Sequence, residues 1–500
     1  MHIKKSFFVL SLLLNVMLVT ANAEEMPEKK ENKNLEKVEE IISTTTHSVK
    51  IAGNTLNYQA TAGNLIIKSD DGKDKASIFY TAYTKDGTDL GNRPITFCFN
   101  GGPGSSSVWL HLGTFGPRKV EFDDNGYALP PYHLVENEYS ILDLTDLVFI
   151  DPVSTGYSRA LPGEDAKQFH GVDEDVKSVA NFIRLFVTKN NRWGSPKYLA
   201  GESYGTTRAA SLAGYLHDEH FLYCNGVILI SSILNFQTLN DHQNGNDLPY
   251  VLFLPTYTKT AAFYKKLAPE LLKNMDKTMA DVQNFALKDY TVALMQGDAL
   301  DPKTRQEIID KLSYYTGISK EYIDGENLRI NSMHFAKELL RSERRTVGRF
   351  DTRYKGIDLN TCGETFEFDP SAEAIFGAFT ATFNYYMKND LKWDSNIEYK
   401  ILTSVSPWNY GKATNQYLNV GDSLREVMTK NPSLKVFVGS GYYDLATPYF
   451  ATDYTFNHLN LDPTLRPHVT MKYYEGGHMM YVQKVSLIKL KKDLADFFNQ

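Results

Sequence analysis

Short apolar runs alternate with polar and helix-forming segments along most of the chain. Between residues 47 and 83, alternating apolar and polar positions are broken by Gly and by the turn sequence SDDGKD, which predicts antiparallel β-hairpins. Farther on, short continuous apolar runs are typical of buried parallel strands. These runs are ITFCF (95–99), LVFID (147–151), KYLA (197–200), GVILI (226–230), LKVFV (434–438) and HVTMKYY (468–474).

Helical periodicity lies between these runs. Apolar residues recur at spacings of three and four in two segments, which predicts one buried face on each helix: Val172, Val176, Val179, Ile183 and Phe186 in the first, and Leu487, Leu490, Leu494 and Phe497 in the second. Strands that alternate with such helices indicate an α/β protein with a mainly parallel sheet covered on both faces. Sites in such sheets form at the C-terminal ends of the strands.

The strand–helix alternation stops at about residue 240 and resumes at about residue 400. The intervening segment is rich in helix formers and aromatic residues, as in TAAFYKKLAPELLKNM, and we expect it to form a mainly helical cap over the site. The predicted organisation is a signal peptide (1–23), a charged linker (24–45), the first part of the core (46–239), the cap insertion (240–400) and the second part of the core (401–500).

The N-terminus has the three-part pattern of an export signal. MHIKK is followed by the apolar SFFVLSLLLNVMLV and by TANA, an A-x-A cleavage site, so the mature chain is expected to begin near Glu24. The alternative is a membrane anchor, but the apolar core of about 14 residues is shorter than the roughly 20 needed to span a bilayer. We expect a periplasmic or secreted protein with no stable membrane anchor after cleavage.

The charge, aromatic content and cysteine count of the chain reduce the number of functions that we expect for it. The 500 residues carry a formal net charge of −7 without a basic run, which gives no reason to expect nucleic acid as a partner. The aromatic content of 13% is more typical of core and cap packing than of a base-stacking platform. Three cysteines, Cys98, Cys224 and Cys362, are too few for a disulfide framework, so a large core must hold the fold together.

The sequence GESYG, residues 201–205, directly follows the predicted strand KYLA and precedes a helical segment. This strand–turn–helix context is that of a nucleophile elbow, in which Ser203 points outward and the Tyr204 amide at the helix N-terminus can donate to an oxyanion. The alternative is an ordinary turn serine, because G-x-S-x-G occurs by chance about 0.2 times in a chain of this length.

A glycine-rich loop, FNGGPGSSSVWL, follows the strand ITFCF. Consecutive glycines let backbone amides turn toward one point, and Gly102 is the candidate for the second oxyanion donor. The alternatives are a plain loop or a phosphate-binding loop, but the lysine that a phosphate-binding loop requires is absent.

A serine nucleophile needs a base and an acid that orients it, in the chain order Ser, Asp or Glu, His for this fold. Asp444 follows the strand LKVFV in GSGYYDLATP, and His478 follows HVTMKYY in EGGHMMY. The HDEH sequence, His217 to His220, offers an alternative metal site, but a third protein ligand cannot be assigned. We therefore expect a Ser-His-Asp site without a metal or cofactor.

The motifs NGGPGSSS, IDPVSTGYS, GESYG, GSGYYDLATP and GGHMM occur in the order found in the serine carboxypeptidase family, and the chain resembles its bacterial members. The resemblance implies an α/β-hydrolase fold and peptide or protein C-termini as substrates. It also implies a role for each matching residue: Ser203 as nucleophile, His478 as general acid and base, Asp444 as its partner, the Gly102 and Tyr204 amides as oxyanion hole, Asn100, Gly101 and Glu202 as binders of the substrate carboxylate, and Met479 in the leaving-group pocket.

The chain departs from the family pattern at three places. Where the family has E-L-G-P, residues 114–117 are Thr, Phe, Gly and Pro, and two family cysteines are Ser105 and Thr447. Loss of the second acid predicts a weaker preference for acidic pH, because one shared proton is gone. Arg118 either supplies compensating charge or is merely solvated. Alternative functions are an esterase or acyltransferase with the same triad, or a non-catalytic binding protein.

Overall fold

A computed structural model describes residues 38–241 and 244–500 of the chain. Its strands are β1 (Ile42–Ile51), β2 (Asn54–Lys68), β3 (Asp74–Lys85), β4 (Ile95–Phe99), β5 (Arg118–Val120), β6 (Leu134–Glu136), β7 (Asp146–Ile150), β8 (Arg159–Ala160), β9 (Lys197–Ser203), β10 (Gly226–Ser232), β11 (Arg345–Val347), β12 (Lys355–Ile357), β13 (Lys435–Gly441) and β14 (Val469–Tyr474). Each apolar run identified in the sequence corresponds to one of them.

Ten of these strands form a single mixed sheet. Its order is β1-β2-β3-β7-β4-β9-β10-β13-β14, and the short β8 pairs with β3. Strands β1, β2 and β3 are antiparallel to their neighbours, which confirms the predicted hairpins. From β7 to β14 all neighbouring strands are parallel, so their C-terminal ends meet at one edge of the sheet.

The described residues form fourteen α-helices, several of which cover the two faces of the sheet. They are α1 (Val108–Leu110), α2 (Val172–Lys189), α3 (Tyr204–His220), α4 (Leu248–Phe263), α5 (Pro269–Leu272), α6 (Met275–Phe285), α7 (Thr291–Gln296), α8 (Pro302–Thr316), α9 (Lys320–Gly325), α10 (Ser332–Glu338), α11 (Pro370–Asn389), α12 (Gly421–Lys430), α13 (Tyr449–Asn457) and α14 (Lys484–Phe498). The two amphipathic segments of the sequence are α2 and α14. The predicted α/β class with a mainly parallel sheet is thereby confirmed.

Two large apolar clusters lie on opposite faces of the sheet, because successive side chains of a strand point to opposite sides. In β10, Val227 and Leu229 pack with helices α2, α3 and α12, whereas Ile228 and Ile230 pack with α11 and α14. A strand buried on both faces needs an apolar residue at every position, which explains the continuous runs.

Helices α4 to α11 and the β11–β12 hairpin occupy the segment 240–400. Helices α4 to α10 share an apolar cluster of their own, while α11 packs its Phe379 against Trp109 of the core, with ring centroids 4.8 Å apart. The division into core and cap at residues 240 and 400 stays a prediction.

The expected linker was placed too far along the chain. Strand β1 begins at Ile42, inside the range 24–45, because the charged composition ends at Glu40 and the Ile-, Ser- and Thr-rich run after it has high β-propensity. The predicted signal peptide and most of the linker lie outside the described residues. Within the described ranges, no helix is long and apolar enough to cross a membrane. Cys98, Cys224 and Cys362 are free thiols.

Candidate active site

The turn between β9 and α3 holds Ser203 in a strained conformation at the sheet edge. Its φ of 60° and ψ of −130° lie in a region that non-glycine residues rarely adopt. A Cβ at Gly201 would lie 2.0 Å from the Gly205 carbonyl oxygen, and one at Gly205 would lie 2.7 Å from the Phe99 oxygen. Both glycines are therefore required by close backbone packing around the serine.

The glycine-rich loop after β4 packs directly against this turn. A Cβ at Gly101 would lie 2.3 Å from the Tyr204 amide nitrogen, so only a glycine allows the approach. Gly102 has a φ of +105°, which a side chain would strain. Gly102, Ser203 and Tyr204 line one cavity. The structure thus brings both predicted oxyanion donors beside the predicted nucleophile.

Asp151 anchors the far end of this loop from the IDPVSTGYS motif. Its Oδ1 accepts a hydrogen bond from the Ser107 amide at 2.8 Å and lies 3.3 Å from the Tyr399 hydroxyl. Burial raises the pKa of Asp151 to about 7. The motif therefore contributes a buried acid that supports the glycine-rich loop.

Asp444 and His478 form a buried pair in the loops after β13 and β14. Asp444 Oδ2 lies 2.8 Å from His478 Nδ1. The same carboxylate accepts hydrogen bonds from the Ala446 amide at 2.7 Å, the Thr447 amide at 2.9 Å and the Thr447 hydroxyl at 2.7 Å. These donors hold the carboxylate in one orientation, as a group that positions a catalytic base requires.

The mutual attraction of Asp444 and His478 decides the direction in which the pKa of each is shifted. Burial alone would raise the pKa of Asp444, but the neighbouring His478 and the donors from Thr447 outweigh it and lower the pKa. Burial alone would lower the pKa of His478, but Asp444 and, more weakly, Glu202 outweigh it and raise the pKa. The arrangement favours an imidazole that can accept a proton next to a permanent carboxylate.

The three predicted triad residues line the same cavity or support it. Ser203 and His478 both face it, and Asp444 is fully buried behind the histidine. Within the described residues, no hydrogen bond joins the Ser203 hydroxyl to the imidazole. Catalytic hydrogen bonds of this kind often tighten only when substrate is bound.

Glu202 is a buried carboxyl beside the serine. The Tyr481 hydroxyl donates a hydrogen bond to its Oε2 at 2.5 Å. Burial raises the pKa of Glu202 to about 7, although the nearby His478 and the Tyr481 donor oppose that rise. Asn100, also buried in the cavity wall, uses its Oδ1 to accept from the Leu110 amide, while its Nδ2 has no acceptor among the described residues. Both side chains can donate to an anion.

The cavity itself measures about 1080 Å³ and lies between the sheet edge and the segment 240–400. Its walls are mostly apolar and aromatic, a composition typical of small-molecule and peptide sites. They include Gly101, Met479, Trp109, Phe236, Phe253, Ile375 and Phe376. The structure therefore brings every residue of the sequence-predicted site to one place.

Thr114, which stands in place of the family's second acid, and Arg118, the candidate for compensating charge, both lie outside the cavity wall. Thr114 is buried in the π-helical turn His111–Phe115 and is not part of the cavity wall. Arg118 lies on β5, also outside the wall, and its Nη2 contacts the Leu134 carbonyl at 3.4 Å. Arg118 is not among the groups that shift the pKa of Glu202.

Sequence reasoning missed four residues of this site: Thr447, Tyr481, Arg349 and Phe350. Thr447 was noted only as a replaced cysteine, yet its hydroxyl binds Asp444. Phe350 stacks on the His478 ring with centroids 5.2 Å apart, and its carbonyl accepts from the His478 amide at 2.6 Å. The position of Tyr481, three residues after the histidine, was the one local signal available.

The HDEH histidines are not part of a group of three ligand-type side chains within the described residues. His217 Nδ1 lies 2.8 Å from Asp218 Oδ1, and the His217 ring stacks on Tyr223. A different group, Glu326, His334 and Glu364, places three ligand-type atoms within 4.8 Å of one another. Two of the three groups contact each other directly, because His334 Nδ1 lies 3.0 Å from Glu326 Oε2.

Comparison with known proteins gives a consistent result. The family model described as "Serine carboxypeptidase" matches residues 52–492. Serine-type carboxypeptidase F of Aspergillus niger is 33% identical over 136 residues, which is 25% of this chain and 23% of that protein. Pheromone-processing carboxypeptidase KEX1 of Saccharomyces cerevisiae is 31% identical over 161 residues, which is 29% of this chain and 21% of that protein. The chain thus spans about a quarter of the length of these relatives.

A solved structure shows the same fold over a much longer stretch. The crystal structure of Kex1(delta)p, a prohormone-processing carboxypeptidase from Saccharomyces cerevisiae, aligns with a TM-score of 0.56 at 16% sequence identity. The alignment covers 88% of this chain and 91% of that one. The predicted α/β-hydrolase fold is confirmed by this likeness.

Proposed function

Because the chain belongs to the serine carboxypeptidase family, we propose that it removes residues from the C-termini of peptides through an acyl-enzyme. The observation that carries the proposal is the contact of Asp444 with His478, because the His478 imidazole lines one cavity with Ser203 on its strained turn and with the buried Glu202. The proposal includes export from the cytoplasm, on the basis of the signal pattern in residues 1–23.

The acylation step follows from the roles of these groups. His478 Nε2 takes the proton of the Ser203 hydroxyl while Oγ attacks the carbonyl carbon of the last peptide bond. The negative charge that develops on the carbonyl oxygen is stabilised by the amides of Gly102 and Tyr204. His478 then gives its proton to the amine of the departing residue, and the C–N bond breaks to leave an ester on Ser203.

Deacylation repeats these steps with a water molecule in place of the serine hydroxyl. His478 accepts a proton from a water molecule, whose oxygen attacks the ester carbonyl, and the proton returns to Ser203 Oγ as the ester bond breaks. Asp444 keeps the imidazole oriented and stabilises its protonated form throughout, without itself accepting the proton.

Glu202 and Asn100 support selection of a free C-terminus. A carboxylate beside an anionic substrate costs free energy unless one of the two groups carries a proton, and Glu202, with a pKa raised to about 7, carries it below neutral pH. Protonated Glu202 and the Asn100 amide then both act as donors to the substrate carboxylate. An uncharged C-terminal amide gains less from this pair.

The test combines active-site labelling with hydrolysis of matched substrates. The wild-type chain should react with a fluorophosphonate and cleave a blocked dipeptide with a free carboxylate much faster than its amide. Ser203→Ala should lose labelling and lower kcat by about 10⁶-fold, and Asp444→Asn should lower it by about 10⁴-fold. Ser342→Ala, an exposed serine, is the control and should behave as wild type.

Other outcomes identify the competing functions. Labelling at Ser203 with equal rates for the acid and the amide would indicate an esterase or acyltransferase. A folded protein that resists labelling would indicate a binding protein on this fold.

A further inference from the structure

Arg349 lies directly beside the proposed catalytic histidine. It follows β11 and precedes Phe350, whose ring stacks on His478. Both of its backbone groups are fixed: its amide donates to Asp369 Oδ1 at 3.1 Å, and its carbonyl accepts from the Leu445 amide at 3.0 Å. The backbone therefore holds the side chain at the cavity wall, next to the loop of Asp444.

The guanidinium of Arg349 has no acidic partner among the residues that the structure describes. Other arginines near the site are paired: Arg353 binds Asp351 at 2.6 Å, and Arg208 binds Asp175 at 2.7 Å. Arg349 is partly buried and faces the same cavity as Ser203 and Met479. The guanidinium carbon lies 5.8 Å from the centroid of the Phe350 ring, and this contact with the face of the group leaves its N–H edge able to donate to a molecule that enters the cavity.

The Arg349 guanidinium gives the cavity wall a positive group that can bind an anionic ligand. Of the other charged residues in the described wall, Glu202 is bound by Tyr481, and Asp241 accepts from the amide and hydroxyl of Ser332, each at 2.8 Å. The positive charge of Arg349 opposes protonation of His478. An anion bound to the guanidinium would cancel that effect.

We propose that Arg349 binds a carboxylate of the peptide next to the scissile bond and so determines which substrates this chain prefers. A guanidinium matches a carboxylate with two parallel hydrogen bonds, and such charge-assisted pairs are stronger than neutral hydrogen bonds and more specific in geometry. The carboxylate has two possible sources, the free C-terminus itself or an acidic side chain at the cleaved bond. The inference rests on the proposed function for its assignment of the cavity to peptides.

Binding to the inactive Ser203→Ala chain tests this inference separately from turnover. Dissociation constants are measured by calorimetry for four blocked dipeptides: Phe-Leu as free acid, Phe-Leu amide, Phe-Glu amide and Phe-Gln amide. Adding Arg349→Gln should weaken binding of the carboxylate-bearing peptides by about 10- to 100-fold, the range for hydrogen bonds to charged groups, and leave the uncharged amides little changed. Arg349→Lys should be intermediate, because it keeps the charge and loses the paired geometry.

The pattern of losses identifies the source of the carboxylate. A loss confined to the Phe-Leu acid assigns the C-terminus, and a loss confined to Phe-Glu amide assigns an acidic side chain. Arg345→Gln is the control, since Arg345 lies on the same hairpin, contacts the Arg344 carbonyl and lies outside the cavity wall. Unchanged affinities, or an equal loss for charged and uncharged peptides in a variant that folds by circular dichroism, would overturn the inference. Failure of the proposed function shows independently, as absent fluorophosphonate labelling of the Ser203 chain.

Discussion

At the scale of the residue, the side chain that contacts Glu202, Tyr481, distinguishes this chain from the family pattern. The expected second acid is absent, and the donor to Glu202 is a hydroxyl instead of a carboxyl. Space for its ring comes from Gly113, where a Cβ would lie 2.4 Å from Tyr481 Cε2. Because burial raises the pKa of Tyr481 well above 10, this donor keeps its proton at any working pH. Glu202 is then the group of the pair that titrates.

The pH dependence of peptide cleavage should report that titration. For substrates with a free carboxylate, kcat/KM should fall as pH rises through about 7, because Glu202 loses its proton there; the amide substrate should lack this fall. Tyr481→Phe removes a donor that favours the ionised form, so the pKa of Glu202 rises and the fall should move to higher pH. Profiles of kcat/KM from pH 5 to 9 measure both effects.

A matched variant separates this effect from general destabilisation. Tyr474→Phe also removes a buried hydroxyl, one that donates to Asp493 Oδ2 at 2.9 Å away from the cavity. It should lose similar stability and leave the pH profile unchanged. The assignment of the titration to Glu202 would be contradicted if Tyr481→Phe left the pH profile of kcat/KM unchanged. It would also be contradicted if the acid and amide substrates gave the same profile. The expectation of a weaker acid preference stays a prediction until these profiles exist.

At the scale of the element, the turn from β9 to α3 depends on glycines that permit close packing. The backbone of Gly205 lies so near Gly201 that any side chain at 201 would overlap the Gly205 carbonyl. The strand end, the serine and the helix start therefore form one rigid unit. The GESYG pattern predicted this unit because its requirements are local.

Gly201→Ala should lower the free energy of unfolding by about 1–3 kcal/mol or more, since the new methyl group must displace backbone. Urea denaturation followed by circular dichroism measures the change. Gly325→Ala is the control: Gly325 ends α9, and a Cβ there meets nothing within 4 Å. Its stability should stay within a few tenths of a kcal/mol of wild type or rise, because alanine favours a helix. Equal effects of the two substitutions would refute the packing argument.

At the scale of the whole molecule, one buried ion pair links three parts of the core. Arg208 of α3 donates to Asp175 of α2 through Nε at 2.7 Å and Nη2 at 3.2 Å. Its Nη1 donates to the Asn100 carbonyl at 2.6 Å, at the start of the glycine-rich loop. Both charged side chains are buried. The pair thus couples the packing of two helices to the position of the loop.

Asp175→Asn should lower the free energy of unfolding by about 3–5 kcal/mol, because it leaves a buried guanidinium without a counter-charge. Chemical denaturation measures this loss. Asp173→Asn, at an exposed position in the same helical turn, should cost less than about 1 kcal/mol, the size of a helix-dipole contribution. A similar cost at both positions would show that the buried pair contributes little.

Features with local causes could be predicted from sequence alone. Each buried strand, the two amphipathic helices and the GESYG turn were found because their residue periodicity or glycine spacing reflects contacts within a few positions. The linker boundary was misplaced because the charged composition already ends at Glu40, and the Ile- and Thr-rich run that follows belongs to β1. The order of the motifs was enough to identify the family, and the roles of Ser203, Asp444 and His478 stay predictions for the experiments above.

Only the tertiary structure decided which partners these residues meet. Tyr481 reaches Glu202 across 279 positions of the chain, and Arg349 comes beside His478 through the packing of Phe350. The approach of Arg349 leaves no periodic or spacing signal in the sequence, and the approach of Tyr481 leaves only its position three residues after His478. Burial then sets the pKa of Glu202, because the cost of an ionised carboxyl depends on the surrounding protein and not on its neighbours along the chain.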